Sequence, residues 1–314
     1  MIKLKNVVAV VTLSVLSFFA CKPDDPEVSL IPERDRTEQQ VVDNDSLIGY
    51  FQTHYYNSSV FETPGDHTID EIVITELPQD DNGNYLPLPD PDENTLLIDA
   101  VETYTRTFEE TEYEFYILNL NQGDGEYSPN FTDNIRLIYS GNLMDEVVFD
   151  SSVNPNLPFD LTGLIEGWRN VIPRFNTASD FIINEDGTVD YSGYGLGVMF
   201  IPSGLAYYAA PPFGVPVYSN LIFKFELYAA EANDHDNDGV LSHLEDLNGN
   251  ESVNDDDTDD DSVPNFFDPD DDGDGVLTIN EDIDNDGDPT NDDTDGDGIP
   301  NYLDEDSTES NQDS

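Results

Sequence analysis

Aspartate and glutamate, whose carboxylates can bind metal ions, recur at fixed intervals in the C-terminal part of the chain. Residues 234–314 contain 31 Asp or Glu and no Lys or Arg. The segment that begins at Asp234 is repeated 36 residues later at Asp270, and the segment that begins at Asp257 is repeated at Asp293 after the same interval. The sequence therefore contains two tandem repeat units.

The spacing within each segment is that of a loop that surrounds one hard cation with oxygen ligands. Carboxylates occupy loop positions one, three, five and twelve, and Gly or Ser occupies position six. The predicted ligands are Asp234, Asp236, Asp238, Glu245, Asp257, Asp259, Asp261, Asp268, Asp270, Asp272, Asp274, Glu281, Asp293, Asp295, Asp297 and Asp304. The Asp residues at position twelve of the second segment in each unit predict weaker or shared coordination.

These segments resemble EF-hand-like loops and thrombospondin type-three repeats, and the resemblance implies structural calcium in place of a hydrophobic core. The alternative is a disordered acidic tail, which is the usual form of a block of like charges. The regular Gly and apolar positions argue against that alternative. Without calcium, mutual repulsion is expected to leave the tail extended.

The chain before residue 232 has the composition of a folded α+β domain. Short runs of β-branched and aromatic residues between turn residues predict an antiparallel sheet, with strands at residues 113–120, 135–139, 147–149 and 221–228. Apolar spacing predicts one helix at residues 164–175, which Pro173 limits. A second helix is predicted after Asp43 as its N-terminal cap, followed by a strand-like segment at residues 69–77.

Several separated motifs between residues 110 and 231 occur in the order typical of one enzyme family. They are Tyr139-Ser140-Gly141, Phe149-Asp150-Ser151-Ser152, Pro158-Phe159-Asp160-Leu161, Leu164-Ile165-Glu166-Gly167-Trp168, Ile201-Pro202-Ser203-Gly204-Leu205-Ala206-Tyr207, and residues 215–227. Together they resemble FKBP-type peptidyl-prolyl cis-trans isomerases. The implied fold is an antiparallel sheet wrapped on one short helix, and the implied reaction is rotation about X–Pro bonds, which needs no cofactor.

The resemblance assigns a role to each pocket residue. Trp168 is the implied floor, and the implied walls and rim are Tyr139, Phe159, Leu164, Ile165, Phe223, Phe149, Tyr207 and Val215. Asp150 is implied as a fixed dipole source near the substrate carbonyl carbon. The Tyr207 hydroxyl and the Ile165 N–H are implied hydrogen-bond donors to substrate carbonyls. Core packing is the alternative for each aromatic residue.

Three departures from the family pattern are visible. The loop between Leu161 and Leu164 is short, Tyr208 stands where the family has glycine, and residues 176–196 form an insertion. The turn signal at residues 184–187 predicts a hairpin within that insertion. None of these departures removes a pocket residue.

The N-terminal end has the features of an export signal. Lys3 and Lys5 precede a short apolar core, and the segment before Cys21 resembles a lipoprotein signal, which implies that Cys21 is acylated. An ordinary secretory signal is the alternative. The acidic residues after Cys21 resemble a surface-export signal of Bacteroidota lipoproteins, which implies an outer-membrane lipoprotein of the cell envelope. Membrane contact is expected through the lipid alone.

The net charge of −59 excludes nucleic acid as an expected partner, because phosphate binding needs clustered Lys and Arg. The predicted partners are proline-containing exported polypeptides. The predicted organisation is a signal peptide (1–20), a tether (21–35), an accessory region (36–108), the isomerase domain (109–232), calcium repeats (233–306) and a disordered tail (307–314). Two alternatives are a non-catalytic proline-peptide binding or adhesion module and a calcium tail that mediates attachment.

Overall fold

The computed structural model describes residues 33–313, so Cys21 and the predicted signal and lipidation segments lie outside the described residues. The helices are α1 (Arg36–Thr53), α2 (Ser58–Phe61) and α3 (Glu166–Val171). The strands are β1 (His54–Tyr56), β2 (Ile74–Glu76), β3 (Thr95–Leu96), β4 (Glu102–Phe108), β5 (Thr111–Asn121), β6 (Asn134–Leu143), β7 (Val148–Ser152), β8 (Pro158–Asp160), β9 (Asp180–Ile183), β10 (Val189–Ser192), β11 (Gly195–Ile201) and β12 (Leu221–Glu231). Within these residues, no helix is both long and apolar enough to cross a membrane.

The central element is a seven-stranded antiparallel sheet in the order β4-β5-β11-β12-β6-β7, with β8 also paired to β6. The strands β5, β11 and β12 are buried on both faces. Apolar residues accordingly fill most positions of β11 and β12. The antiparallel sheet with few helices that the sequence predicted is confirmed.

Alternating residues of β5 face two separate hydrophobic layers. Tyr113, Phe115 and Ile117 pack in the layer that contains α3, whereas Tyr116 and Leu118 pack in a second layer beneath α1. This alternation follows from the two-residue period of a strand. The sheet therefore separates two cores, and α3 lies on the side of the predicted pocket.

The region predicted as an accessory domain packs directly on the sheet. Leu47 and Phe51 of α1 are fully buried against Phe200 and Ile222 in the second layer. Strand β4 pairs along its whole length with β5, so the predicted boundary at residue 108 falls inside a hairpin. The structure differs from the prediction because the apolar stripe of α1 has the sheet itself as its partner.

Two helix limits differ from the prediction. Helix α1 begins after Asp35, whose carboxylate accepts a hydrogen bond from the Glu38 N–H. Asp43 therefore lies inside α1 and does not cap it. The helix predicted at residues 164–175 is α-helical only over α3, which ends at Val171. The chain then continues as a 3-10 turn, because Pro173 lacks the N–H that an α-helix requires.

The insertion before β11 forms the predicted hairpin, in which β9 pairs with β10. The repeats, by contrast, contain only single 3-10 turns over residues 233–313. Their apolar interior is small and rests on Val240, Val253, Phe266 and Tyr302, each at most 4% exposed. Such a small core predicts that other interactions stabilise the repeats.

Candidate functional site

An aromatic cluster surrounds Trp168, which is 5% exposed and lies in the first turn of α3. Its ring centroid is 5.0 Å from that of Phe223 and 5.5 Å from that of Tyr139. A Cβ atom at Gly167 would lie 2.8 Å from Ile201 Cγ2, so only glycine lets α3 approach β11 this closely. The glycine before Trp168 thus has a packing reason.

The other rings of this cluster line β6, β7 and β8. Tyr139 meets Phe159 edge to face at 5.9 Å, and Phe149 meets Phe223 in the same way at 5.6 Å. Edge-to-face pairs at such distances are favourable. Tyr139, Phe149 and Phe159 are only half-buried, so the cluster is open to solvent on one side. A cavity of about 590 Å³ lies elsewhere on the described surface, lined by residues that include Arg136, Phe181 and Tyr228.

Gly141 allows these rings to meet. A Cβ atom there would lie 2.8 Å from Phe223 Cε1 and 3.0 Å from Phe149 Cζ. We expect Gly141→Ala to lower the free energy of unfolding by about 1 to 3 kcal/mol, since overpacking forces rings off their preferred positions. Urea unfolding followed by Trp168 fluorescence measures this change. Gly163→Ala is the matched control, because nothing lies within 4 Å of its Cβ position, and equal stability of both variants would contradict the packing argument.

Four polar groups belong to this site, namely the Tyr139 hydroxyl, the Asp150 carboxylate, the Tyr207 hydroxyl and the Ile165 N–H. The Tyr139 hydroxyl donates to Asp150 Oδ2 at 2.7 Å, and the second oxygen of this exposed carboxylate accepts the Ser151 N–H at 2.9 Å. Burial and the neighbouring Asp150 raise the pKa of Tyr139, so its hydroxyl remains a donor. Among the described residues, none accepts a hydrogen bond from the Tyr207 hydroxyl or from the Ile165 N–H. Both donors are free for a ligand.

The structure brings the predicted pocket residues together. Nine of them belong to the α3-side core or pack against it, and the tenth, Asp150, is joined to the group through Tyr139. The nine are Tyr139, Phe149, Phe159, Leu164, Ile165, Trp168, Tyr207, Val215 and Phe223.

The loop that follows Tyr207 is held by the N-terminal end of the described chain. Tyr208 has a φ of +50°, which explains why glycine suits this position and why a side chain there is strained. Its hydroxyl donates to the Arg34 carbonyl at 2.6 Å, and the Arg36 guanidinium lies 4.3 Å from its ring centroid. These contacts stabilise the strained conformation and fix the loop beside the site.

Asp43 stabilises the segment that precedes Tyr207. One carboxylate oxygen accepts hydrogen bonds from both the N–H and the hydroxyl of Ser203, at 2.9 and 2.6 Å, and the other accepts from Gln39. Burial raises the pKa of Asp43 despite these hydrogen bonds. The sequence predicted Asp43 as a helix cap, because a contact across 160 residues leaves no local signal.

The repeats contain five groups of carboxylates whose potential ligand atoms lie within 4.8 Å of one another. They are Asp236, Asp238, Glu245 and Asp271; Asp257, Asp259 and Asp261; Asp270, Asp272 and Asp274; Asp282, Asp284 and Asp292; and Asp293, Asp295 and Asp297. Asp234, Asp268, Glu281 and Asp304 were predicted as ligands but are outside these groups. Asp234 instead closes a turn, accepting from the Asn237 N–H at 2.7 Å.

Four residues of these groups were not predicted, namely Asp271, Asp282, Asp284 and Asp292. A third loop begins at Asp246 and returns at Asp282 after the same 36 residues, a signal that could have been found in the sequence. In both copies the leading Asp accepts two backbone N–H groups, those of Asn250 and Glu251 in the first. The spacing gives no such signal for Asp271, because the carboxylates near it belong to the preceding repeat unit.

The buried carboxylates fit a cation. Both oxygens of Glu245, of Asp271 and of Glu281 are buried without a hydrogen-bond partner among the described residues. A buried, unpaired carboxylate is costly, and a divalent cation would supply the missing partner. Burial and mutual repulsion raise the pKa of Glu245 and Glu281 to about 9, that of Asp271 to about 10 and that of Asp236 to about 7.

Contacts of His235 and of Glu251 join the first repeat unit to the sheet domain. His235 Nε2 lies 3.0 Å from Asp160 Oδ2, and the Arg106 Nη1 donates to Glu251 Oε2 at 2.8 Å. Arg106 also pairs with the buried Glu166 in α3 at 3.2 Å. The repeats are therefore anchored beside the helix that carries Trp168.

Comparison with known proteins identifies the class of the sheet domain. The chain is 32% identical over 114 residues to a peptidyl-prolyl cis-trans isomerase of Schizosaccharomyces pombe, covering 88% of that protein and 35% of this chain. It is 34% identical over 109 residues to FK506-binding protein 1A of Aspergillus fumigatus, covering 84% of it. The chain belongs to the FKBP-type peptidyl-prolyl cis-trans isomerase family.

Other matches are partial. The chain is 31% identical over 110 residues to the FKBP-type 22 kDa isomerase of Escherichia coli and spans 46% of its length, and it spans 36% of FkpA of Aeromonas hydrophila. The crystal structure of FkpA from Escherichia coli matches with a TM-score of 0.31 at 26% identity, over 40% of this chain and 51% of that one. A family model described as BamM C-terminal matches residues 235–289.

Proposed function

We propose that the protein is a peptidyl-prolyl cis-trans isomerase that acts on X–Pro bonds of exported polypeptides. The observation that carries this proposal is the aromatic cluster around Trp168 with its unused donors, the Tyr207 hydroxyl and the Ile165 N–H. Family membership supports it.

The reaction must overcome an amide resonance barrier of about 18 to 20 kcal/mol without forming or breaking a covalent bond. The aromatic rings would hold the proline ring in an apolar environment, and the site would favour the twisted amide over the planar one. The Tyr207 hydroxyl and the Ile165 N–H would hold the substrate carbonyls. The Asp150 carboxylate, oriented by Tyr139, would act on the carbon of the twisting carbonyl as a fixed charge.

A refolding experiment tests this function on a protein substrate. Catalytic amounts of the calcium-loaded chain are expected to accelerate the slow refolding phase of an unrelated protein whose folding is limited by prolyl isomerisation. The Tyr207→Phe variant should accelerate it less. An unchanged slow phase with the folded wild-type chain would favour the alternative, a module that binds proline-containing segments without catalysis.

We also propose that the repeats bind calcium as a structural ion. The buried oxygens of Glu245, Asp271 and Glu281 support this assignment. Asp236, Asp238, Asp257, Asp259, Asp261, Asp270, Asp272, Asp274, Asp293, Asp295 and Asp297 would supply further ligands. Calcium would provide positive charge at these loops and no step of the isomerisation.

Calcium binding is expected to release protons near neutral pH. In the folded, metal-free chain the raised pKa values, about 9 for Glu245 and Glu281, mean that these groups hold protons that calcium must displace. Folding without calcium takes up protons, so metal-free stability should fall as pH rises towards 9, whereas calcium affinity should rise. Titration calorimetry in buffers of different ionisation enthalpy measures the released protons, and a heat independent of the buffer would contradict this prediction.

We propose a location in the cell envelope. The supporting feature is the sequence around Cys21, which resembles a lipoprotein signal, followed by an acidic stretch. Acylated Cys21 would anchor the chain to the outer membrane, and the acidic stretch favours display at the cell surface. Metabolic labelling with a fatty acid should mark the wild-type chain and not Cys21→Ser, and equal labelling of both would contradict lipidation at this residue.

A further inference from the structure

The loops that begin at Asp234 and Asp270 share one feature. In each, the residue at position two lies against the part of the chain that precedes the loop. His235 holds this position in the first unit, and its ring nitrogen Nε2 lies 3.0 Å from Asp160 of the sheet domain. Asp271 holds the same position in the second unit, 36 residues later. It lies against the cluster of carboxylates in the first unit. The repeat geometry thus directs this side chain backwards along the chain.

Asp271 is buried and lacks a partner in this position. It is 1% exposed, and neither of its carboxylate oxygens has a hydrogen-bond partner among the described residues. A potential ligand oxygen of Asp271 lies within 4.8 Å of those of Asp236, Asp238 and Glu245. Glu245 is fully buried and equally unpartnered. Three of these four converging carboxylates are buried, and a cation between them would supply the missing partner.

We propose that Asp271 is a calcium ligand of the first repeat unit, supplied across the repeat boundary, and that the bound ion fastens the second unit to the first. This inference rests on the proposed calcium binding. Ca²⁺ accepts six to eight oxygen ligands, so a fourth carboxylate from another segment fits its coordination. Asp234, which the spacing predicted as a ligand, lies outside this group of four and accepts turn hydrogen bonds from the N–H groups of Asn237 and Gly239.

The position of Asp271 couples two sites. In the sequence it stands between Asp270 and Asp272, which belong to the cluster of carboxylates in the second unit. An ion bound to Asp271 also fixes the backbone of its two neighbours, Asp270 and Asp272. The second site therefore loses less conformational freedom when it binds calcium. Calcium binding to the two units is therefore positively cooperative.

The last unit provides an internal comparison. The residue 36 positions after Asp271 is Ser307, which is 4% exposed and donates to Asn301 Oδ1 at 3.2 Å. The site of the second unit therefore has no carboxylate from a following loop at this position. Its Glu281 remains buried with both oxygens unpartnered. The cross-boundary ligand belongs to the junction between the two units.

Titration calorimetry with CaCl₂ on the chelator-treated full chain tests this assignment. Asp271→Asn should weaken binding at one class of site about tenfold or more and lower the Hill coefficient, because a ligand and the coupling are both lost. The matched control is Asp260→Asn, an equal change of charge at an exposed loop residue with a φ of +61°, which asparagine tolerates. This control should bind calcium as the wild type does.

A stability measurement separates a ligand from a merely structural residue. Asp271→Asn should make the metal-free repeats more resistant to proteolysis, since it removes the need to bury a carboxylate without a partner, while reducing the protection that calcium adds. Wild-type isotherms and protection in Asp271→Asn would overturn the assignment. A wild-type chain that binds no calcium would instead overturn the proposed calcium binding itself.

Discussion

Asp150→Ala is expected to lower kcat/KM for a proline-containing peptide by about 10- to 100-fold, because a fixed charge at the reacting carbonyl contributes to transition-state stabilisation. The variant should remain folded, since Asp150 is exposed and its main partner is the Tyr139 hydroxyl at 2.7 Å. The kinetics of cis/trans interconversion and a urea unfolding curve measure the two properties on one preparation.

Two further variants separate the roles of the carboxylate. Asp145→Ala removes an equally exposed carboxylate from the turn between β6 and β7, and this control should retain wild-type kinetics. Tyr139→Phe removes only the hydrogen bond that orients Asp150 and should cost less than Asp150→Ala. Wild-type kcat/KM in Asp150→Ala would show that the carboxylate takes no part in the reaction.

Above about pH 9, where Glu245 and Glu281 lose the protons that stabilise the metal-free fold, removal of calcium is expected to unfold the repeats and leave the sheet domain intact. The apolar core of the repeats is small, and without the ion each of the buried carboxylates of Glu245, Asp271 and Glu281 would remain an unpaired charge among other carboxylates. For a segment of about 80 residues, the radius of gyration should rise from about 12 Å towards about 28 Å. Small-angle X-ray scattering before and after chelation measures this expansion.

Trp168 serves as the internal control in that experiment, because it is the chain's only tryptophan and lies in the sheet domain. Its fluorescence should change little when calcium is removed, and renewed addition of calcium should restore the compact form. Identical scattering profiles with and without calcium would contradict a structural role for the ion.

The sequence predicted those features that depend on local pattern or on ordered motifs. Short runs of β-branched and aromatic residues indicated the strands, and Asn184 to Gly187 indicated the hairpin. The motifs indicated the residues of the aromatic cluster, which lie on β6, β7, β8 and β12 and in the first turn of α3. Gly141 and Gly167 stand in these motifs for a physical reason, namely the close approach of Phe223 and Ile201.

Contacts between distant segments could not be predicted in this way. The apolar stripe of α1 suggested a helix, yet nothing in it indicated that the sheet was its partner. Asp43 has the side chain of a helix cap, but its role depends on Ser203, 160 residues away. The spacing within a single loop does not indicate Asp271 as a ligand, because the carboxylates near it belong to the preceding unit.

Exchange NMR on a short X–Pro peptide is the sharpest test of catalysis at the aromatic cluster. Uncatalysed interconversion takes tens to hundreds of seconds at 25 °C. We predict that substoichiometric calcium-loaded chain produces cis/trans exchange cross-peaks within about one second, far faster than the uncatalysed rate, and that Asp150→Ala largely removes them. Unchanged exchange, alongside a peptide-dependent change in Trp168 fluorescence, would contradict catalysis and identify the cluster as a proline-binding site only.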